Sequence, residues 1–176
     1  EQGGFGEFYH SRTLVEPGVQ LAALPNRDTF YSVGVFDLTE PVTITLPDSG
    51  DRYQSMVILD EDQYLKGTLY EPGEYTLTQD EIGTRYTWVF VRTFVDPNDP
   101  DDVETVHGLQ DELAVSQDSV GTFEIPNWDR QEHEELFDAL VTVMKTMDDF
   151  GGAYGDVGEV NPVKYFLASV TPGGLP

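Results

Sequence analysis

The run Arg85-Tyr86-Thr87-Trp88-Val89-Phe90-Val91-Arg92-Thr93-Phe94-Val95 is the longest strand-forming stretch of the chain. Its alternation places Tyr86, Trp88, Phe90, Arg92 and Phe94 on one face, and Thr87, Val89, Val91, Thr93 and Val95 on the other. Both faces are apolar enough to be covered, so a central strand buried on both sides is expected. Arg92 is the exception. A guanidinium among aromatics must reach solvent or pair with a carboxylate, because an unpaired buried charge is costly. Asp28 and Asp60 are the expected partners.

Around this run the same residue types recur in short segments: Phe30–Asp37, Val42–Leu46, Arg52–Leu59, Tyr64–Tyr70 and Glu74–Leu77. Turn residues separate them, at Glu40-Pro41, Pro47-Asp48-Ser49-Gly50, Glu71-Pro72-Gly73 and Gln79–Thr84. Short strands at this spacing predict a mainly β fold, an antiparallel β-sandwich of jelly-roll type. Helical periodicity enters only in the second half, giving two or three helices. Asp101–Leu113 has an inward face of Val103, Val106, Leu109 and Leu113. Asp129 opens a second helix that should run to Gly151-Gly152, and Asn161-Pro162 a third, with Val163, Phe166 and Leu167 inward. The expected organisation is an arm at 1–24 and a sandwich body at 25–126 with one inserted helix. A helical segment at 127–176 would then serve as the run-in to a second domain.

With 33 acidic and 9 basic residues, the 176-residue chain carries a formal net charge of −24, and three of its basic residues are lysines. Self-repulsion on this scale is relieved by salt, so scattered acids and scarce lysine favour a salt-adapted surface. The expected setting is the cytoplasm of a high-salt organism, with secretion as the alternative. No basic patch exists to replace the counterions of a nucleic acid, and no apolar run is long enough for a membrane helix. Cysteine is absent, which excludes disulfides, thiolate metal sites and thiol nucleophiles.

The most varied polar cluster is Leu24-Pro25-Asn26-Arg27-Asp28-Thr29-Phe30-Tyr31-Ser32, at the mouth of the first predicted strand. Its Pro-Asn-x-Asp-Thr-x-Tyr-Ser core resembles the signature of the family catalogued as domain of unknown function 1254. So do Pro41-Val42 through Pro47-Asp48 with Gly50-Asp51-Arg52-Tyr53, and Val91-Arg92-Thr93-Phe94-Val95-Asp96 with Leu109-Gln110-Asp111. The resemblance implies a β-sandwich or jelly-roll domain, often followed in one polypeptide by a domain of the family numbered 1214. It implies no settled chemistry. Gln54 stands where many members carry a second tyrosine, and the segment from Glu61 to Glu71 is shorter than the family's usual loop.

No complete catalytic constellation can be read. Asn26, Arg27, Asp28, Tyr31, Tyr53 and Arg92 are the candidate ligand-binding residues, able to grip a small polar ligand through amide, guanidinium, carboxylate and phenol. The noncatalytic reading is a module that binds such a ligand, or docks on its own second domain or a sister subunit. The alternative is a hydrolase with Asp28 or Asp60 as general base, and with Arg92 and Asn26 orienting the substrate. Glycoside hydrolysis would need two of these carboxylates about 5–10 Å apart. Asp96, Asn98, Asp99 and Asp101 have the composition of a calcium loop without its register, so a solvated turn is favoured and no metal or cofactor is expected. His107 and His133 read as surface residues.

Overall fold

The computed structural model describes residues 4–14, 27–124, 127 and 129–169. Those at 4–14 and 27–123 form one compact unit, and those from 124 onward belong to a second. The first unit is a two-sheet, mainly antiparallel sandwich. Its larger sheet has the order β1-β3-β8-β5-β6, from β1 (Gly4–Phe5), β3 (Thr29–Asp37), β8 (Tyr86–Phe94), β5 (Gln54–Asp60) and β6 (Leu65–Leu69). Here β2 (Tyr9–Ser11) pairs antiparallel with β3 beside the parallel β1. The smaller sheet is β7-β4-β9, from β7 (Gly73–Leu77), β4 (Val42–Leu46) and β9 (Ala114–Gln117). A one-turn helix, α1 (Gln79–Ile82), precedes β8.

Facing residues of both sheets supply the core. Phe36, Met56, Ile58, Val89 and Val91 from the larger meet Val42, Ile44, Leu46 and Leu77 from the smaller. α2 (Pro100–Glu112) covers a satellite cluster of Phe30, Val95 and Val106. Asp99 caps it, its Oδ1 accepting from Asp101 N at 3.0 Å, with Pro100 in the first turn. The helix therefore starts one residue before the sequence expectation.

In the second unit, α3 (Arg130–Met144) is capped as expected by Asp129, which accepts from Gln131 N and Glu132 N. It ends at Met144, well before Gly151, where Thr146 and Met147 close onto Val143 and Met144 in turn geometry. α4 (Pro162–Ser169) starts at the predicted Asn161-Pro162 signal, with Asn161 Oδ1 accepting from Val163 N and Lys164 N. Its buried residues are Leu167 and Ala168, whereas Val163 and Phe166, expected inward, are exposed. No described helix is long and apolar enough to cross a membrane.

Candidate functional site

β8 runs between β3 and β5, and the two registers decide which side chains meet. Tyr31, Arg92 and Ser55 stand in one row across the strands. Val33, Phe90 and Val57 form the next row, and Val35, Trp88 and Leu59 the third. Directly opposed residues share a face. These nine therefore form a grid on the side of the sheet turned away from the core, and Arg92 is its sole charge. Trp88 is 40% exposed, and Phe94 and Tyr53 at the margin are 43% and 50% exposed. The opposite face of β8, from Thr87 to Thr93, is buried. The expectation that both faces are covered holds for the inward face, while the outward one is covered in part: Ser55 is buried and the rest apart from Trp88 are half-buried. β8 is central within its sheet, and among the nine outward residues Trp88 is the exposed one.

Aromatic rings frame the guanidinium. Its central carbon lies 5.0 Å from the Phe90 ring centroid and 5.6 Å from that of Tyr31, within cation–π range. Tyr31 and Trp88 each stack on Phe90, with centroids 6.4 and 5.6 Å apart. The Tyr53 hydroxyl donates to Ser55 Oγ at 3.1 Å. Arg92 Nε is buried and has no hydrogen-bond partner. Six of the nine basic residues form ion pairs with described acids: Arg12, Arg52, Lys66, Arg85, Arg130 and Lys164. Arg92 forms none among the described residues.

The expected pairing of Arg92 with Asp28 or Asp60 is overturned by strand parity. Asp60 opposes Thr87, and Asp28 continues the ladder opposite Val95, whose N–H it accepts at 2.8 Å. Both are in register with the inward row of β8, while Arg92 belongs to the outward one. Asp28 and Asp60 also lie eight positions apart along β8, about 26 Å at strand rise, too far for a catalytic carboxylate pair. Asp60 is a buried turn residue: its Oδ1 accepts from Tyr64 N at 2.8 Å, and Lys66 Nζ is 3.9 Å from Oδ2. Arg27 and Asp28 are exposed, and Asn26 lies outside the described residues. Of the candidates, the fold brings together Tyr31, Arg92 and Tyr53. Trp88 and Phe90, placed beside Arg92 by alternation along the strand, complete the face together with Ser55, whose membership only the strand register reveals.

In the 96–101 loop, Asp96 Oδ1 accepts from Asn98 N and Nδ2, while Asp99 caps α2. No three described His, Asp or Glu side chains are arranged to hold a metal. Asp102 accepts from Arg52 and from Asp96 N, and the Arg52 bond holds its carboxyl below the usual carboxylate range.

A buried polar network, unforeseen in the sequence, joins β2, β3 and α2. His10 Nδ1 lies 2.8 Å from Ser32 Oγ, and Gln110 Nε2 donates to Ser11 O, Tyr31 O and Ser32 Oγ. Burial, followed by the Arg12 charge, pushes the His10 pKa below its ordinary value. His107 is not the surface residue expected. It stacks on Phe30 with centroids 5.4 Å apart, and its Nε2 lies 3.0 Å from Arg12 O. Ser32 is 2% exposed, so the Ser32–His10 pair ties elements together rather than presenting a nucleophile.

Among solved structures, the fold is similar to the crystal structure of the VPA0106 protein from Vibrio parahaemolyticus, with a TM-score of 0.65 at 14% identity. The likeness covers 88% of this chain and 59% of that one, so this chain spans less than two thirds of the Vibrio protein. No curated protein gives a match. The family model described as "Protein of unknown function (DUF1254)" matches residues 5–117, which take in β2 through β9 and the whole Arg92 face, and the chain belongs to that family.

Proposed function

We propose that this chain is a noncatalytic β-sandwich module that docks a second domain of its own polypeptide on the sheet face around Arg92. The observation that carries the reading is the character of that face. In a chain with 33 acids, none of the nine residues that the register places there is acidic, and eight are uncharged. Broad apolar patches are uncommon on monomers and mark interaction surfaces. About two fifths of the similar Vibrio chain lies beyond the matched portion, which gives such a surface a candidate occupant. A second copy of this chain fits less well, since it would bring together two bodies of net charge −24. A small polar ligand fits less well too, because a sheet face offers area rather than enclosure. The distance of Asp28 and Asp60 from Arg92 supports the noncatalytic reading over hydrolysis.

Hydroxyl-radical footprinting tests the proposal by comparing residues 1–176 with the product of the complete reading frame. Trp88, Phe94 and Tyr53 should oxidise several-fold more slowly in the longer protein. Equal oxidation in both, or a reading frame that stops at Pro176, overturns it. The acidic surface is part of the same reading, as an adaptation to the cytoplasm of a high-salt organism.

A further inference from the structure

We infer that Arg92 receives a carboxylate from the docked domain, an Asp or Glu side chain set in an otherwise apolar surface. The inference rests on the docking reading and specifies its chemistry. Arg92 stands inside the grid, flanked by Tyr31 and Ser55 in its row and by Phe90 beside it. Rings attract the face of a guanidinium but cannot accept its N–H groups in the manner of an oxygen. Nε already lacks an acceptor, and Arg92 has no ion pair among the described residues.

A purely apolar partner laid over this face would strip water from the remaining donors. Leaving a cation buried and unpaired in that way costs more than the surrounding apolar contact readily returns. A complementary surface must therefore bring an acceptor, and a carboxylate matches the guanidinium fork with two parallel charge-assisted bonds. Charge complementarity points the same way. Six of the other eight cations are set against described acids, whereas the rows nearest Arg92 hold no carboxylate, and the acid that continues this face, Asp37 opposite Tyr86, is taken by Arg85. One matched pair inside an apolar interface would also fix the register of docking, since a shifted partner would leave both charges unpaired.

The test uses the complete polypeptide with Arg92→Glu, Arg92→Leu and Arg92→Lys. Thermal melts of the same substitutions in residues 1–176 establish that the sandwich still folds. Arg92→Glu should abolish the several-fold protection of Trp88 and Phe94, and Arg92→Leu should reduce it less. In Arg92→Lys, a carbodiimide should couple the new amine to one acidic side chain of the docked domain, identified by mass spectrometry. Undiminished protection in Arg92→Glu together with no such cross-link overturns the carboxylate while leaving docking intact. Absence of protection in the unsubstituted polypeptide overturns docking itself.

Discussion

Arg85 and Arg92 belong to one stretch of sequence, yet the fold treats them in opposite ways. Arg85 Nη2 donates to Asp37 Oδ2 at 2.8 Å, and its Nε lies 3.2 Å from both carboxylate oxygens. Thr39 N and Thr122 N also donate to Asp37, whose side chain is fully buried. The carboxylate thereby fastens the 121–122 segment to the end of β3. Gly121 passes so close, at φ +75°, that a Cβ there would sit 2.4 Å from Asp37 Oδ2. Arg92 meets only rings and has an orphaned N–H. Both cations lie against aromatics, since Arg85 is 5.0 Å from the Tyr86 centroid. What separates them is whether a carboxylate lies within hydrogen-bond reach. The first arginine works within this chain, and the second has no ion pair among the described residues, as the proposed docking requires.

The largest expected effect lies at the closed end. Asp37→Ala would orphan Arg85 and two backbone N–H groups, and urea unfolding should show a loss of about 3 kcal/mol, the low end for a buried pair because Arg85 is partly exposed. A loss under about 1 kcal/mol would break the contrast. The Arg85 hydrogen bonds hold the Asp37 carboxyl far below its ordinary range against the opposing effect of burial, with help from Thr39 and Thr122. Because the native carboxyl binds its proton less readily than the unfolded one, stability is full above the ordinary carboxylate pKa. It falls as pH drops toward the native value. Asp37→Asn should flatten that acid limb, though not abolish it, since Asp102 and Asp111 are lowered too.

The contrast also marks what the sequence could disclose. Turn residues and alternation located β3 through β8, and the caps at Asp129 and Asn161 located two helix starts, because those signals are local. β2 and β9 escaped because strands of three and four residues carry too little periodicity. The Arg92 partners were misassigned for a different reason. Which residue opposes Arg92 depends on register, and a one-residue shift reverses every face. The gathering of Tyr31, Tyr53 and Arg92 drew on residues legible as polar or aromatic. The exposure of Trp88 and Phe94 was not legible, because a pattern apolar on both faces reads the same whether the second face meets a layer or water.

Salt should act on the whole surface rather than on either arginine. Raising KCl from roughly 0.1 M to roughly 2 M screens a net charge of −24 and should lift the melting temperature by about 2–4 °C for each kcal/mol of repulsion relieved. If Asp37→Ala melts with the same salt increment as the unsubstituted chain, the relief is general and the Asp37 lock local. A flat profile in the unsubstituted chain would remove the case for salt adaptation.

A smaller effect is expected at the arm. The His10 pKa is lowered, chiefly by burial, so the native state disfavours its proton. Stability from this group is complete above the ordinary histidine value and declines as pH falls below it toward the native one. Partial burial limits the change to below about 1 kcal/mol after allowing for solvent screening. His10→Gln should reduce the difference in melting temperature between pH 7.5 and 5.5, two values that bracket the ordinary histidine pKa of about 6.5. An unchanged difference would mean that His10 titrates as though exposed.

The smallest effect is predicted where the cation stands alone. In residues 1–176, Arg92→Leu removes cation–π contacts worth about 0.5–1 kcal/mol at an exposed site. It also removes a buried N–H without an acceptor and adds apolar surface beside Val33, Phe90 and Val57. These changes oppose one another, so denaturant unfolding should differ by no more than about 0.5 kcal/mol. A loss of about 2 kcal/mol or more would mean that Arg92 finds an acceptor inside this chain, and both arginines would then be internal locks. A near-null result beside a costly Asp37→Ala would instead show that the fold does not depend on Arg92, as expected of a cation whose partner comes from outside.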